Sequence, residues 1–273
     1  MKVSQNFDKC KKSASEKFCK NSFDDFLRNL LPDSVISWAC VEQKDEPPDF
    51  FLFVDGTKYA VEVTILMQKF DVGTKKPLPL GKIRDELEKF VLDEVKSVAR
   101  DNNCLHGVYL VTFSKPIDSF TNAKTMIQNK LLTYIRATQG SGNAPGELIY
   151  KCGRQTCKIT KVHDRDNKVI MGGPGDSKWE REVLADAYQL LDKSIEEKEL
   201  KLRNISGPKV LLLHDQYIFG TVETYKACIP SISSLVSFHT LFIVGNNSKG
   251  LVLYSQDPKW ASGLRRHGSA LSP

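Results

Sequence analysis

Residues 46–66, EPPDFFLFVDGTKYAVEVTIL, constrain what this chain can fold into more than any other stretch. Two runs rich in β-branched and aromatic residues flank Asp55-Gly56, which reads as strand, turn, strand. If Asp55-Gly56 forms a two-residue turn, Val54 pairs with Thr57, and each step outward keeps the sum of the paired numbers constant. Asp49 then lies opposite Glu62, with the Cβ atoms roughly 5 Å apart. A four-residue turn would slide the register by two and leave the acids as diagonal neighbours on one face. The surrounding positions are Phe50, Leu52, Val54, Tyr59, Val61, Val63 and Ile65, so both faces of the hairpin are expected to be covered. Opposed like charges destabilise a sheet, and burying a carboxylate without a partner costs several kcal/mol. A divalent cation would offset that cost, since hard oxygen ligands suit Mg²⁺ or Mn²⁺. So would a salt bridge to a lysine, or a hairpin end wet enough to expose Asp49.

The elements around the hairpin follow from periodicity. FDDFLRNLL (23–31) has helical spacing and is ended by Pro32. SVISWACVEQ (34–43) reads as a strand. KIRDELEKFVLDEVKSVAR (82–100) is an amphipathic helix with Ile83, Leu87, Phe90, Val91 and Val95 on one face. HGVYLVTFS (106–114) is a short buried strand. Beyond it, 120–138 reads as a helix, 140–146 as a loop, 147–171 as a β-ribbon, and 179–203 as a long charged helix. KVLLLHD (209–215), LFIVG (241–245) and LVLYS (251–255) are further strands. Mixed helices and strands predict an α/β fold.

Composition narrows the function classes. No apolar run approaches the roughly 18 residues that a membrane-spanning helix needs. The opening MKVSQNFDKCKK has no apolar segment after its charges, so no secretory signal is expected. Seven cysteines, an odd number spread over 273 residues, point to reduced thiols and a cytoplasmic location. The net charge is +6, with six lysines in the first 20 residues and Arg265, Arg266 and His267 near the end. A basic surface is compatible with a polyanionic partner, although mild basicity by itself only solvates a surface.

Helix, three strands, helix, strand, with Pro48-Asp49 opening the second strand and Glu62 in the third, resembles the PD-(D/E)XK nuclease superfamily. The resemblance covers roughly residues 14–114. It implies a restriction-endonuclease-like αβββαβ core with a mixed central sheet over residues 1–115, and a C-terminal α/β elaboration packed on it over 116–273, the two forming separate parts or one continuous domain. It implies a metal-dependent nuclease acting on nucleic acid, DNA foremost, with Mg²⁺ or Mn²⁺ held by Asp49, Glu62 and the backbone carbonyl of Val63. A homodimer is compatible with cutting both strands.

Where the family pattern has a lysine, this chain has Thr64, which would hold a water by hydrogen bond but cannot supply a cation. EPPDF…EVT forms of this pattern often carry a late helix Ile-x-x-Lys-x-x-Lys, matched here by Ile195, Lys198 and Lys201. Lys198 and Lys201 lie about one turn apart and would reach the acids if that helix packs over the hairpin. Otherwise SIEEKELKLR is a solvated salt-bridge face. Lys82 and Lys89 are alternatives. A further acid from the first helix would be Glu16, Asp24 or Asp25. The second expectation, from the missing lysine, is a catalytically silent nucleic-acid-binding or assembly module.

Other patterns carry less. Cys152 and Cys157 flank GRQT with His163 nearby, but a zinc site needs a fourth ligand, and none has suitable spacing. GGPGD (172–176) lacks the Lys-Ser/Thr of a phosphate-binding loop. His106 and His214 border apolar strands, where hydrogen-bonded structural roles are expected.

Overall fold

The computed structural model describes residues 3–4, 11–42, 45, 47–70, 78–98, 107–113, 119–138, 148–152, 155–163, 167–172, 180–217, 219–245 and 250–261. The chain divides into two compact units. One comprises Met1–Leu66, Ala187–Tyr217 and Thr221–Pro273; the other comprises Met67–Asp186 and Ile218–Gly220.

The first unit begins with β1 (Val3–Ser4) and α1 (Ala14–Leu30). α1 starts earlier than the apolar spacing suggests because Ser13 and Glu16 form a capping box. The Glu16 N–H donates to Ser13 Oγ at 3.2 Å, and the Ser13 N–H donates to Glu16 Oε2 at 2.6 Å. Its inner stripe of Cys19, Phe23 and Leu27 is fully buried. β2 (Ile36–Val41), β3 (Phe50–Val54) and β4 (Thr57–Leu66) follow as an antiparallel meander, with β1 on the outer side of β2. Val54 pairs with Thr57 and Phe50 with Val61, so Asp55-Gly56 is the two-residue turn that the sequence calls for. Both turn residues have positive φ, 50° and 81°, the conformation whose twist matches paired strands.

The second unit carries β5 (Lys69–Phe70), β6 (Leu78–Pro79), α2 (Leu80–Val98), β7 (Gly107–Phe113), α3 (Phe120–Thr138), β8 (Leu148–Cys152), β9 (Gln155–His163) and β10 (Asn167–Gly172). Its four-stranded sheet has the order β10-β7-β9-β8, with β7 parallel to β10 and antiparallel to β9. Tyr109, Val111, Phe113, Ile127, Leu131 and Tyr134 are buried here. α2 packs against β10 and α3.

α4 (Glu180–Leu202) begins in the second unit, and from Ala187 onward it belongs to the first. β11 (Lys209–Asp215) then pairs in parallel with β4, so that Lys209 lies beside Ala60 and Leu211 beside Glu62. α5 (Val222–Cys228) leads through two short 3-10 turns to β12 (Thr240–Gly245), parallel to β11. β13 (Leu251–Ser255) closes the edge antiparallel to β12, and α6 (Pro258–Ala261) follows. The central sheet therefore runs β1-β2-β3-β4-β11-β12-β13 and is mixed, which makes the fold α/β.

This corrects the expected core of residues 1–115. The helix and strand beside the three-stranded meander are α4 and β11, while α2 and β7 belong to the other unit. Both pairs present an amphipathic helix before an apolar strand, so periodicity alone does not separate them. Burial does. β11 has five consecutive buried positions, Val210–His214, as a parallel strand covered on both faces requires. In β7, buried Tyr109, Val111 and Phe113 alternate with half-buried Val108, Leu110 and Thr112, as in a strand covered on one face.

On one face of the central sheet, α1 packs against Trp38, Leu52, Val61, Val63, Leu212 and Phe242. On the other, Ala39, Val41, Phe51 and Ala60 cluster with Ile205. Cys19, Cys157 and Cys228 are free thiols, as the cysteine count suggests, but Cys40 is disulfide-bonded.

The turn yields a test. A Cβ at Gly56 would meet nothing within 4 Å, so Gly56→Ala introduces only backbone strain. We expect it to cost about 1–2 kcal/mol, seen as a lower urea midpoint with an unchanged denaturant slope.

Candidate functional site

The hairpin register sets the site. Asp49 immediately precedes β3, and its carbonyl accepts the Val41 N–H at 3.2 Å, so its backbone already belongs to the sheet. One step beyond the Phe50–Val61 pair, Asp49 stands opposite Glu62. Glu62 is fully buried and Asp49 is 4% exposed. β4 is flanked by β3 and β11, so Glu62 sits in the interior of the sheet rather than on an edge.

α4 supplies the positive charge. Leu191, Ile195 and Leu202 are fully buried. Lys198 falls into the same i, i+4, i+7, i+11 stripe, where a leucine would normally stand. Its Nζ lies 2.7 Å from Glu62 Oε1, and the Nζ of the more exposed Lys201 lies 2.5 Å from the same oxygen. Glu62 Oε2 is buried and has no hydrogen-bond partner among the described residues. That concentrates two cations on one oxygen and leaves its twin bare, an arrangement normally costly in a protein interior.

Asp49 is satisfied differently. Its Oδ2 accepts the Val63 N–H at 2.7 Å, and its Oδ1 lies 3.4 Å from Lys12 Nζ. Lys12 also stands 3.8 Å from Glu16 Oε1 and 5.4 Å from the centre of the Phe50 ring. Burial, reinforced by the nearby Glu62 charge, pushes the Asp49 carboxyl up to about 6. The Val63 N–H, Lys12 and Lys198 pull it the other way and do not prevail.

The expected site residues separate clearly against this geometry. Asp49, Glu62, Lys198 and Lys201 come together. Thr64 lies two residues beyond Glu62, hence on the same face of β4, and is half-buried beside Leu213. Val63 offers its backbone to Asp49 and its side chain to the α1-facing core. Of the first-helix acids, Glu16 reaches the site through Lys12. Asp24 instead accepts the Trp38 indole N–H at 2.9 Å and the Arg28 Nε–H at 3.1 Å, and Asp25 is exposed. Lys82 and Lys89 lie exposed on α2 in the other unit.

Lys12 was not legible as a site residue: six lysines crowd the first 20 positions with no pattern to single one out. The capping box was the available signal, because it fixes the start of α1 and hence where the preceding lysine lies.

A second polar cluster ends β11. His214 is 5% exposed, its Nδ1 lying 3.1 Å from Ser15 Oγ, which agrees with a hydrogen-bonded structural histidine. Asp215 accepts the Tyr225 hydroxyl at 2.7 Å and the Tyr217 N–H at 3.0 Å, while burial raises its carboxyl above the usual range. In the β8–β9 hairpin, Cys152 pairs with Gln155 and Cys157 with Tyr150, so the two cysteines are not register partners. Among the described residues, no group of three or more His, Cys, Asp or Glu is placed to hold a metal. An ion at Asp49 and Glu62 would therefore complete its shell with backbone oxygen and water. No described helix is long and apolar enough to cross a membrane.

The chain matches no family model, no curated protein and no solved structure.

Two stability measurements test this geometry. The Asp49 carboxyl is raised from 3.8 to about 6. Between those values the native state binds more protons than the unfolded state, so this group's contribution to stability declines as pH rises through the window. We expect Asp49→Asn to gain on the wild type by on the order of 2 kcal/mol between pH 4 and pH 7 in urea unfolding; a pH-independent difference would contradict the assignment. Separately, Lys198→Met and Lys201→Met should each be tolerated while the other lysine remains. The double variant strands a buried carboxylate and should cost about 3–5 kcal/mol, more than the two single changes together.

Proposed function

We propose that the protein is a metal-dependent nuclease hydrolysing phosphodiester bonds in nucleic acid, with DNA the preferred substrate. The observation that carries this reading is the fully buried Glu62 opposite Asp49, with two lysines on one carboxylate oxygen and the other oxygen unpartnered among the described residues. The order α1-β2-β3-β4-α4-β11 supports the resemblance to a restriction-endonuclease-like core, with residues 67–179 set between the third strand and the second helix.

The donors fit Mg²⁺ or Mn²⁺: two opposed carboxylates, one with an unused buried oxygen, and a neighbouring backbone at Val63. Such a cation would supply Lewis-acid chemistry, acidifying water and neutralising charge on the scissile phosphate. The chain's own residues do the rest. Lys198 and Lys201 bring from α4 the positive charge that the Thr64 position lacks, and both stand against Glu62 Oε1. Lys201 is the more exposed, with 36% of its side chain accessible against 19% for Lys198, which suits it to meet a substrate phosphate. The Thr64 hydroxyl, on the same face as Glu62, is suited to orient water. A net charge of +6 favours a polyanionic partner, and a two-fold dimer would suit cutting of both strands.

A second reading, a catalytically silent nucleic-acid-binding module, is favoured by one observation: Asp49 and Glu62 already have lysine partners, so their charge can be offset without a metal.

The deciding experiment is cleavage of single- and double-stranded DNA and RNA in Mn²⁺. Wild type should cleave, and Glu62→Ala, folded by circular dichroism, should lose at least about a hundredfold in rate. Lys198→Met and Lys201→Met should each fall below wild type. Equal activity in wild type and Glu62→Ala would sink the proposal, while binding without cleavage would select the silent module.

A further inference from the structure

The buried Lys12 has no part in the mechanism above. Only 3% of its side chain is accessible, which is rare for lysine. The residue directly precedes the Ser13 cap, so the start of α1 fixes its backbone, and its Nζ lies 5.4 Å from the centre of the Phe50 ring. The atom it reaches is telling. Asp49 Oδ2 is committed to the Val63 N–H, and Lys12 stands against Oδ1, the oxygen left for a cation.

We propose that Lys12 is an internal stand-in for the divalent cation, a positioning residue that occupies Asp49 Oδ1 and must leave it when metal enters. The inference rests on the metal-site reading above. An ammonium and a divalent ion cannot share one carboxylate oxygen in a buried setting without strong repulsion. The site also retains an acceptor that no lysine fills, Glu62 Oε2, which is buried and unpartnered among the described residues. Lysine thus neutralises the Asp49 end while the Glu62 end still offers an oxygen. A displaced Lys12 has an acceptor within reach, because Glu16 Oε1 lies 3.8 Å from its Nζ. Glu16 therefore has two tasks: it caps α1 through Oε2 and receives the ammonium through Oε1.

The test is Mn²⁺ binding to the full chain without nucleic acid, followed by the paramagnetic resonance signal of free Mn²⁺. Lys12→Met keeps an unbranched side chain of similar length and removes the charge; it should bind Mn²⁺ about tenfold more tightly than wild type. Lys12→Arg should stay near wild type. Glu62→Gln should lose binding in either background. Equal affinity for wild type and Lys12→Met overturns the stand-in role and leaves the metal site intact. Absence of binding in both overturns the stand-in role and the metal reading together. If Lys12→Met does not fold, Glu16→Gln decides, since glutamine preserves the capping box. Weaker Mn²⁺ binding in that variant supports the proposal, and unchanged binding overturns it.

Discussion

Placing two carboxylates face to face inside a seven-stranded sheet is the constraint on which the rest of the first unit depends. Glu62 has no access to solvent, so its charge must be balanced by groups the fold itself brings in. That requirement fixes what lies over this part of β4. A wholly apolar helix would leave the carboxylate uncompensated. α4 instead interrupts its buried stripe with Lys198 and places Lys201 one turn away. On the other strand, the start of α1 must deliver Lys12 to Asp49, which ties the helix cap to the same charge balance. Acid pair, helix cap and crossover helix form one electrostatic unit.

The balance is incomplete in an informative way. Three lysines approach the two acids, yet one oxygen of Glu62 remains without a partner among the described residues. Structural ion pairs normally evolve toward full satisfaction of both oxygens, because a bare buried acceptor costs free energy. In this acid pair one oxygen stays unpaired among the described residues, and burial with the Glu62 charge holds the Asp49 carboxyl up near 6.

The topology explains how lysines from so far along the chain reach Glu62. β11 is the parallel neighbour of β4, and the helix before it is the crossover element that covers the Glu62 face. Residues 67–179 lie between β4 and that helix. Lys198 and Lys201 are thus distant in sequence and adjacent in the sheet's logic. The apolar character of KVLLLHD reflects the same arrangement, since β11 is covered on both faces.

What the sequence determined by itself was local. Asp55-Gly56 dictates a two-residue turn, the turn dictates register, and register places Asp49 opposite Glu62; each step involves neighbours whose geometry is set by backbone sterics. Helical spacing with lysines at 198 and 201, and strands at 209–215, 241–245 and 251–255, were legible for the same reason. Tertiary structure alone decided which helix–strand pair completes the central sheet. Two such pairs carry similar periodicity, and the choice between them depends on burial on one face or two, a property of packing. It alone decided that Lys12, rather than another of the described early lysines, meets Asp49, and that α4 brings Lys198 and Lys201 to Glu62. Those pairings depend on where distant segments are brought together, and a sequence pattern with a period of two or 3.6 carries no information at that range.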